Sequence, residues 1–472
     1  MSYSIDIKRI SLKALMIALV IFSVSCKDEG PNPGGGGGST GPDNPISKWV
    51  YETMDEVYYW ESFIPSAVDL SKSPETVFTS IKYSGDRFSV LVDDYEGLIN
   101  SLEGVSKEAG YEFQLLRASQ DTDDVVALVL YVKEGSPADI EGMRRGDAIS
   151  AINGTSITTN NYRDLLPELA ETHTISYRRF DEQQDKYVDQ PDLTLTTQVI
   201  SENPVFLDSV YTLANNEKLG YFVYNFFSPG PGSTDEYDQG MKGVFGKFKS
   251  EGIQHLVLDL RYNSGGSISS AQLLASLIAP GVTTTDILYK NVWNNLYQDY
   301  ISGLENGDDI LNGKFLNVSN NIGSQLTNQT LYVLVGERTA SASELIINGL
   351  RPYMNVVIIG ETTVGKNVGS IPIEDDNSTY GMLPIVFKIF NSNNKSDYDQ
   401  GFTPDVEVNE FSYRFEQFGD LDDPLLATAV NQIVVGPSRI APFTKQFEGE
   451  LFKSSIDEKV WTNRLIFDIP IE

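Results

Sequence analysis

Three short runs, Leu256 to Leu260, Leu331 to Val335 and Val356 to Ile359, are apolar but for Asp259 near the end of the first, and the segments Ser270 to Ala279 and Ala342 to Leu350 between them read as helices. A strand with one wet face alternates polar and apolar residues; a run that is apolar throughout belongs to a sheet covered on both faces. Strands of that kind alternating with helices require an α/β architecture, here the core of a longer α+β multidomain chain.

Composition then narrows the chemistry. The chain has one cysteine, Cys26, and two histidines, His173 and His255. Intrachain disulfides, Cys/His zinc clusters and an HExxH metallopeptidase cannot be written with this inventory, and no metal or cofactor is expected. A Ser-His-Asp triad would have to use one of the two histidines, and both sit in strand-like runs where a structural role is expected. The formal charge of −31 argues against a nucleic-acid partner.

At the N-terminus, Lys8, Arg9 and Lys13 precede the nine apolar residues Ala14 to Phe22, and Ser23-Val24-Ser25 lead to Cys26. Nine apolar residues are too few for a mature membrane span. The run is similar to a bacterial lipoprotein signal, although Ser23 stands where leucine is usual. That resemblance implies a lipidated Cys26 and an outer membrane lipoprotein facing the periplasm or the cell surface. The plain secretory signal is the alternative. Residues 27–43, with Gly34 to Gly38 and three prolines, read as a tether. A helical domain over 44–105 is expected to start at Asn44, which can cap a helix with Pro45 in its first turn.

From Gly135 the chain reads GSPADIEGMRRGDAISAINGTSI: one helical turn from Pro137, then the strand Ala148 to Ile152 between turns at Gly146-Asp147 and Asn153-Gly154. This run resembles a PDZ domain, placed at 106–200. The resemblance implies a groove where an extended peptide adds a strand to a sheet edge, entered through the loop Gly110-Tyr111-Glu112-Phe113. Glu112 stands where that family favours glycine, and a carboxylate pointing inward there would repel a peptide C-terminus. A PDZ domain that only packs against the core or gates it is the other reading.

Three motifs close the ends of the apolar strands. DLRYNSGG, Asp259 to Gly266, offers backbone N–H groups with no side chain in the way at Gly265-Gly266. TASASE, Thr339 to Glu344, places a serine at a helix start, and GETTVGK, Gly360 to Lys366, places a lysine beyond a buried strand. In this order, with Gly401-Phe402-Thr403-Pro404-Asp405 following, they resemble the carboxyl-terminal processing peptidases, the S41 serine proteases with a crotonase-like, ClpP-like core, expected here over 201–435.

The resemblance implies that Ser341 is the nucleophile and Lys366, 25 positions on, its general base. A serine hydroxyl needs a base to take its proton, and a lysine serves only where burial disfavours its charged form. The amide of Ala342 with one from Gly265 or Gly266 would form the oxyanion hole. Asn367 replaces the usual glycine, and Ser370 the glutamine that commonly assists. A third catalytic member therefore stays open between Glu344 and Ser370, Glu344 being equally readable as a carboxylate at a helix N-terminus. Asp259, Arg261 and Asn263 are expected to fix the glycine loop.

The leading expectation is a membrane-anchored extracytoplasmic serine endopeptidase acting on polypeptides selected by the PDZ groove. An inactive lipid-anchored peptide-binding protein and a crotonase-like acyl-transfer enzyme are the alternatives. Oligomeric state has no signature in the sequence, and the extension 436–472 carries no functional reading.

Overall fold

The computed structural model describes residues 42–118, 121–436, 451–459 and 464–466. Cys26, the signal-like run and the tether to residue 41 lie outside the described residues. Among those described, no helix is long and apolar enough to cross a membrane.

The central sheet has six strands in the order Val205–Thr212, Lys218–Tyr224, His255–Asp259, Thr330–Val335, Asn355–Gly360, Val406–Glu407. All neighbours run parallel except the first pair. Leu256, Leu258, Leu331 and Val333 turn to the face covered by the helices Glu236–Glu251, Ile268–Ile278 and Ala342–Leu350. Val257, Leu334 and Ile359 turn to the opposite face, where Leu425, Leu426 and Ala429 of the helix Pro424–Val434 meet them. Apolar runs without alternation thus correspond to two buried faces, and the parallel order brings the three motif-bearing strands side by side with their C-terminal ends at one edge.

A second sheet orders Gly265–Ser267, Arg464–Ile466, Val368–Ser370, Ile385–Asn391, Ile287–Trp293 and Asn312–Lys314. The third sheet is the PDZ-like module: Leu451–Ser454, Tyr111–Arg117, Val125–Val132, Ala148–Ile152, His173–Asp181 and Lys186–Asp189. Its Pro137–Ile140 turn is capped by Ser136, and Asn153 and Gly154 both carry the positive φ that their turn needs.

The first helix, Pro45–Val57, is capped by Asn44 Oδ1, which accepts from the amides of Ile46 and Ser47. Val50 and Met54 pack with Val77 and Phe78 of the helix Pro74–Ile81 and with Val368, Met382 and Ile385 of the core. The N-terminal helices are therefore fastened to the lysine side of the core.

Arg145, from the PDZ-like GMRRGDAI run, is buried against the core. It donates to Glu410 (2.8 Å), to the Tyr262 hydroxyl (2.7 Å) and to the carbonyls of Leu130 and Glu416.

Candidate active site

The three motifs converge. Ser341 sits between the strand Thr330–Val335 and the helix Ala342–Leu350 with φ 64° and ψ −112°. A non-glycine residue held there stores on the order of 1–3 kcal/mol and persists only where its surroundings enforce it. They do so through the neighbouring loop. Thr339 Oγ1 donates to the Leu260 carbonyl (2.8 Å), while the Ala340 amide (3.2 Å) and the Ser343 hydroxyl (3.0 Å) both donate to the Asn263 carbonyl. Ser341 Oγ is buried and has no hydrogen-bond partner among the described residues.

Glu344 ties the serine to the lysine. Its Oε2 accepts from the amides of Ser341 and Lys366, each at 2.8 Å. Its Oε1 accepts from the Gly365 amide (2.7 Å) and the Thr363 hydroxyl (2.6 Å). One fully buried carboxyl therefore holds both loops. Burial pushes its pKa up, and the four donors pull it back part of the way. The geometry makes Glu344 a positioning residue.

Lys366 is fully buried, with Nζ 5.3 Å from the centre of the Phe88 ring. The adjacent Arg87 donates to the carbonyls of Val364 (3.3 Å), Gly365 (3.1 Å) and Asp399 (3.2 Å). These buttresses from the N-terminal helical region have no sequence signature that could have tied them to the lysine, because the partners of Arg87 are backbone carbonyls 277, 278 and 312 positions away.

In the glycine loop, Gly266 has φ 129°, and a Cβ there would lie 2.0 Å from the Phe227 carbonyl oxygen, so only glycine fits. The Gly265 amide donates to Asn263 Oδ1 at 2.9 Å. That corrects the expectation for Gly265, whose donor is already engaged; Gly266 pairs in parallel with Leu465, and Ala342 is the first residue of its helix, where amides lack intrahelical partners.

Arg261 beneath the loop donates to Asp259 (2.7 Å), Asp423 (2.8 Å) and Glu410 (3.1 Å), all buried, while Asp259 also accepts from the Tyr221 hydroxyl (2.6 Å). The expected arginine-carboxylate network exists and reaches further than its sequence neighbours. Ser370 Oγ is buried and without a partner among the described residues, at a register shift in its strand.

The histidines are engaged elsewhere. His173 lies 3.1 Å from the Tyr111 hydroxyl, with burial lowering its pKa. His255 heads the end of its strand opposite Asp259 and pairs with Glu217 at 2.8 Å.

In the PDZ-like loop, Glu112 points inward and is buried, 3.1 Å from Lys133 and paired also with Lys459. Lys133 Nζ sits among the carboxylates of Glu108, Glu112 and Glu202.

Comparison with known proteins gives matches to three parts of the chain. The profile described as Peptidase family S41 matches residues 218–408, that of the Peptidase S41 N-terminal domain 46–90, and a PDZ domain profile 128–179. A carboxyl-terminal-processing protease of Picosynechococcus is 24% identical over 68% of this chain and 70% of its own. The chloroplastic carboxyl-terminal-processing peptidase 2 of Arabidopsis thaliana is 26% identical over 71% of this chain, which spans 59% of that protein. A crystal structure from Bacteroides fragilis, provisionally described as an S41 protease, superimposes with a TM-score of 0.69 at 28% identity, over 84% of this chain and 98% of that one.

Proposed function

The chain is a serine-type peptidase of family S41, and from that premise we propose that it is an extracytoplasmic endopeptidase, anchored through a lipidated Cys26, that cleaves polypeptides engaged by its PDZ-like edge. One observation carries the catalytic assignment: a buried Ser341 hydroxyl, unpartnered among the described residues, on a strained turn where the Ser341 amide shares a single Glu344 oxygen with the amide of Lys366.

In this reading Ser341 Oγ attacks the scissile carbonyl carbon and its proton passes to Lys366 Nζ. The oxyanion takes hydrogen bonds from the amides of Ala342 and Gly266, donors of a kind whose loss typically costs about 100- to 1000-fold in rate. Collapse of the tetrahedral intermediate breaks the C–N bond, and Lys366 returns the proton to the leaving amine. Water, deprotonated by the same lysine, then hydrolyses the acyl-enzyme.

The test is hydrolysis of an unfolded polypeptide by the wild type and by Ser341→Ala and Lys366→Arg. Both variants should lose it, because a guanidinium stays protonated and cannot accept the serine proton. Retained cleavage by either variant would overturn its assignment. The anchor is tested separately: Cys26→Ala should move the protein from the membrane to the soluble fraction, and continued co-sedimentation with lipid would place the anchor elsewhere.

A further inference from the structure

The described part of the C-terminal extension touches both places where a substrate of this peptidase would bind. Leu451–Ser454 pairs antiparallel with Tyr111–Arg117, Leu451 opposite Leu116 and Ser454 opposite Gln114, and without it Tyr111–Arg117 would be the sheet edge. An exposed edge of this kind is where an extended peptide adds as a strand. Further on, Arg464–Ile466 runs parallel to the glycine loop, Leu465 opposite Gly266, and Ile466 also pairs with Ser370. Leu451–Ser454 thus lies along the PDZ-like edge, and Arg464–Ile466 lies between the strands Gly265–Ser267 and Val368–Ser370 that flank the candidate catalytic cleft.

The contacts are specific. The Ser455 amide donates to the Phe113 carbonyl (3.0 Å) and its Oγ accepts from the Phe113 amide (2.8 Å), so the loop's backbone is read in both directions. Ser455 Oγ donates to Glu112 (2.6 Å), and Lys459 pairs with Glu112 and Glu108. Glu112, the residue that disfavours a peptide carboxylate, therefore meets a hydroxyl and an ammonium. Ile456 is fully buried among Leu116, Leu128 and Tyr262, and Asp457 pairs at 3.2 Å with Arg338, three residues before Ser341. Beside Ser455 and Lys459 a cavity of about 400 Å³ lined by Leu166, Leu169 and Phe113 stays open.

We propose that the C-terminal residues 451–459 and 464–466 act as an intramolecular competitor for the polypeptide path, which a substrate must displace from the PDZ-like edge and from the cleft. The edge accordingly recognises an internal strand that offers a hydroxyl and a basic side chain to Glu112, in place of a free C-terminus. This rests on the peptidase reading for the meaning of the cleft, and the test separates the two.

Full-length protein in a Cys26→Ala background would carry Leu116→Cys with Leu451→Cys, so that oxidation locks the segment and reduction frees it. A second variant, Lys459→Glu, sets a carboxylate against Glu108 and Glu112. The probe is a fluorescent synthetic peptide with the sequence of residues 451–466, read by anisotropy. A site occupied by its own segment lowers apparent affinity by the unoccupied fraction, so Lys459→Glu should bind the probe about tenfold or more tightly than the parent. The oxidised pair should bind none, and reduction should restore the parent's binding. Equal binding by the oxidised, reduced and Lys459→Glu proteins would overturn the proposal. If binding follows the expected order while no form hydrolyses an unfolded polypeptide, the competitor stands and the peptidase reading fails.

Discussion

At the level of single residues, Ser341 and Glu344 divide the work between reactivity and placement. Ser341→Ala deletes one hydroxyl that bonds to nothing among the described residues, so thermal unfolding should shift by less than about 1 kcal/mol while hydrolysis is lost. Glu344→Gln is the opposite case. It sets an NH2 group against donors that now converge on a carboxylate, and leaving a buried donor unpaired costs about 1–3 kcal/mol. This variant should unfold at a lower temperature and also lose activity, because both loops hang on the same two oxygens. Unchanged melting would show that the four-donor arrangement does not hold in solution. Ser341, Lys366 and the Gly265-Gly266 pair were legible as motifs because the chemistry demands those residue types. The engagement of Gly265 by Asn263 was not, since it depends on a side-chain rotamer.

Among the elements, the loop that follows Asn355–Gly360 carries a carboxyl out of its usual range. Burial, reinforced by Glu337 and Glu410, pushes Glu361 up to about 8, with Arg338 opposing. The folded state then binds this proton more tightly than the unfolded chain does. Its stabilising contribution is complete below the ordinary carboxylate range and is lost as pH rises through about 8. Glu361→Gln, which keeps an acceptor for Asn409, should therefore flatten the decline in melting temperature between the ordinary carboxylate range and about pH 8. An identical decline in the two proteins would contradict it. The strands of the central sheet could be read from sequence because two buried faces impose unbroken apolar runs. Leu451–Ser454 and Arg464–Ile466 could not: four and three residues hold no periodicity, and their strand character comes from the edges they join.

Across the whole molecule, Arg145 and Arg261 share Glu410, linking the PDZ-like module to the network under the glycine loop. Removing one partner of a buried ion pair typically costs about 3–5 kcal/mol, so Arg145→Ala should lower stability by that order and weaken the coupling between module and core. Equilibrium denaturation of the variant at wild-type stability would refute it. The sequence showed the arginine-carboxylate theme at Asp259 and Arg261, but Glu410 and Asp423 lie about 150 positions away and only folding gathers them. The proposed mechanism activates Ser341 with a lysine and no histidine. Labelling with a serine-reactive fluorophosphonate, with the adduct located by mass spectrometry, tests it. The label should fall on Ser341 in the wild type and in a folded His173→Gln, His255→Gln double variant, and should vanish in Lys366→Arg. A label that survives in Lys366→Arg, or is lost from the folded double-histidine variant, would contradict the account.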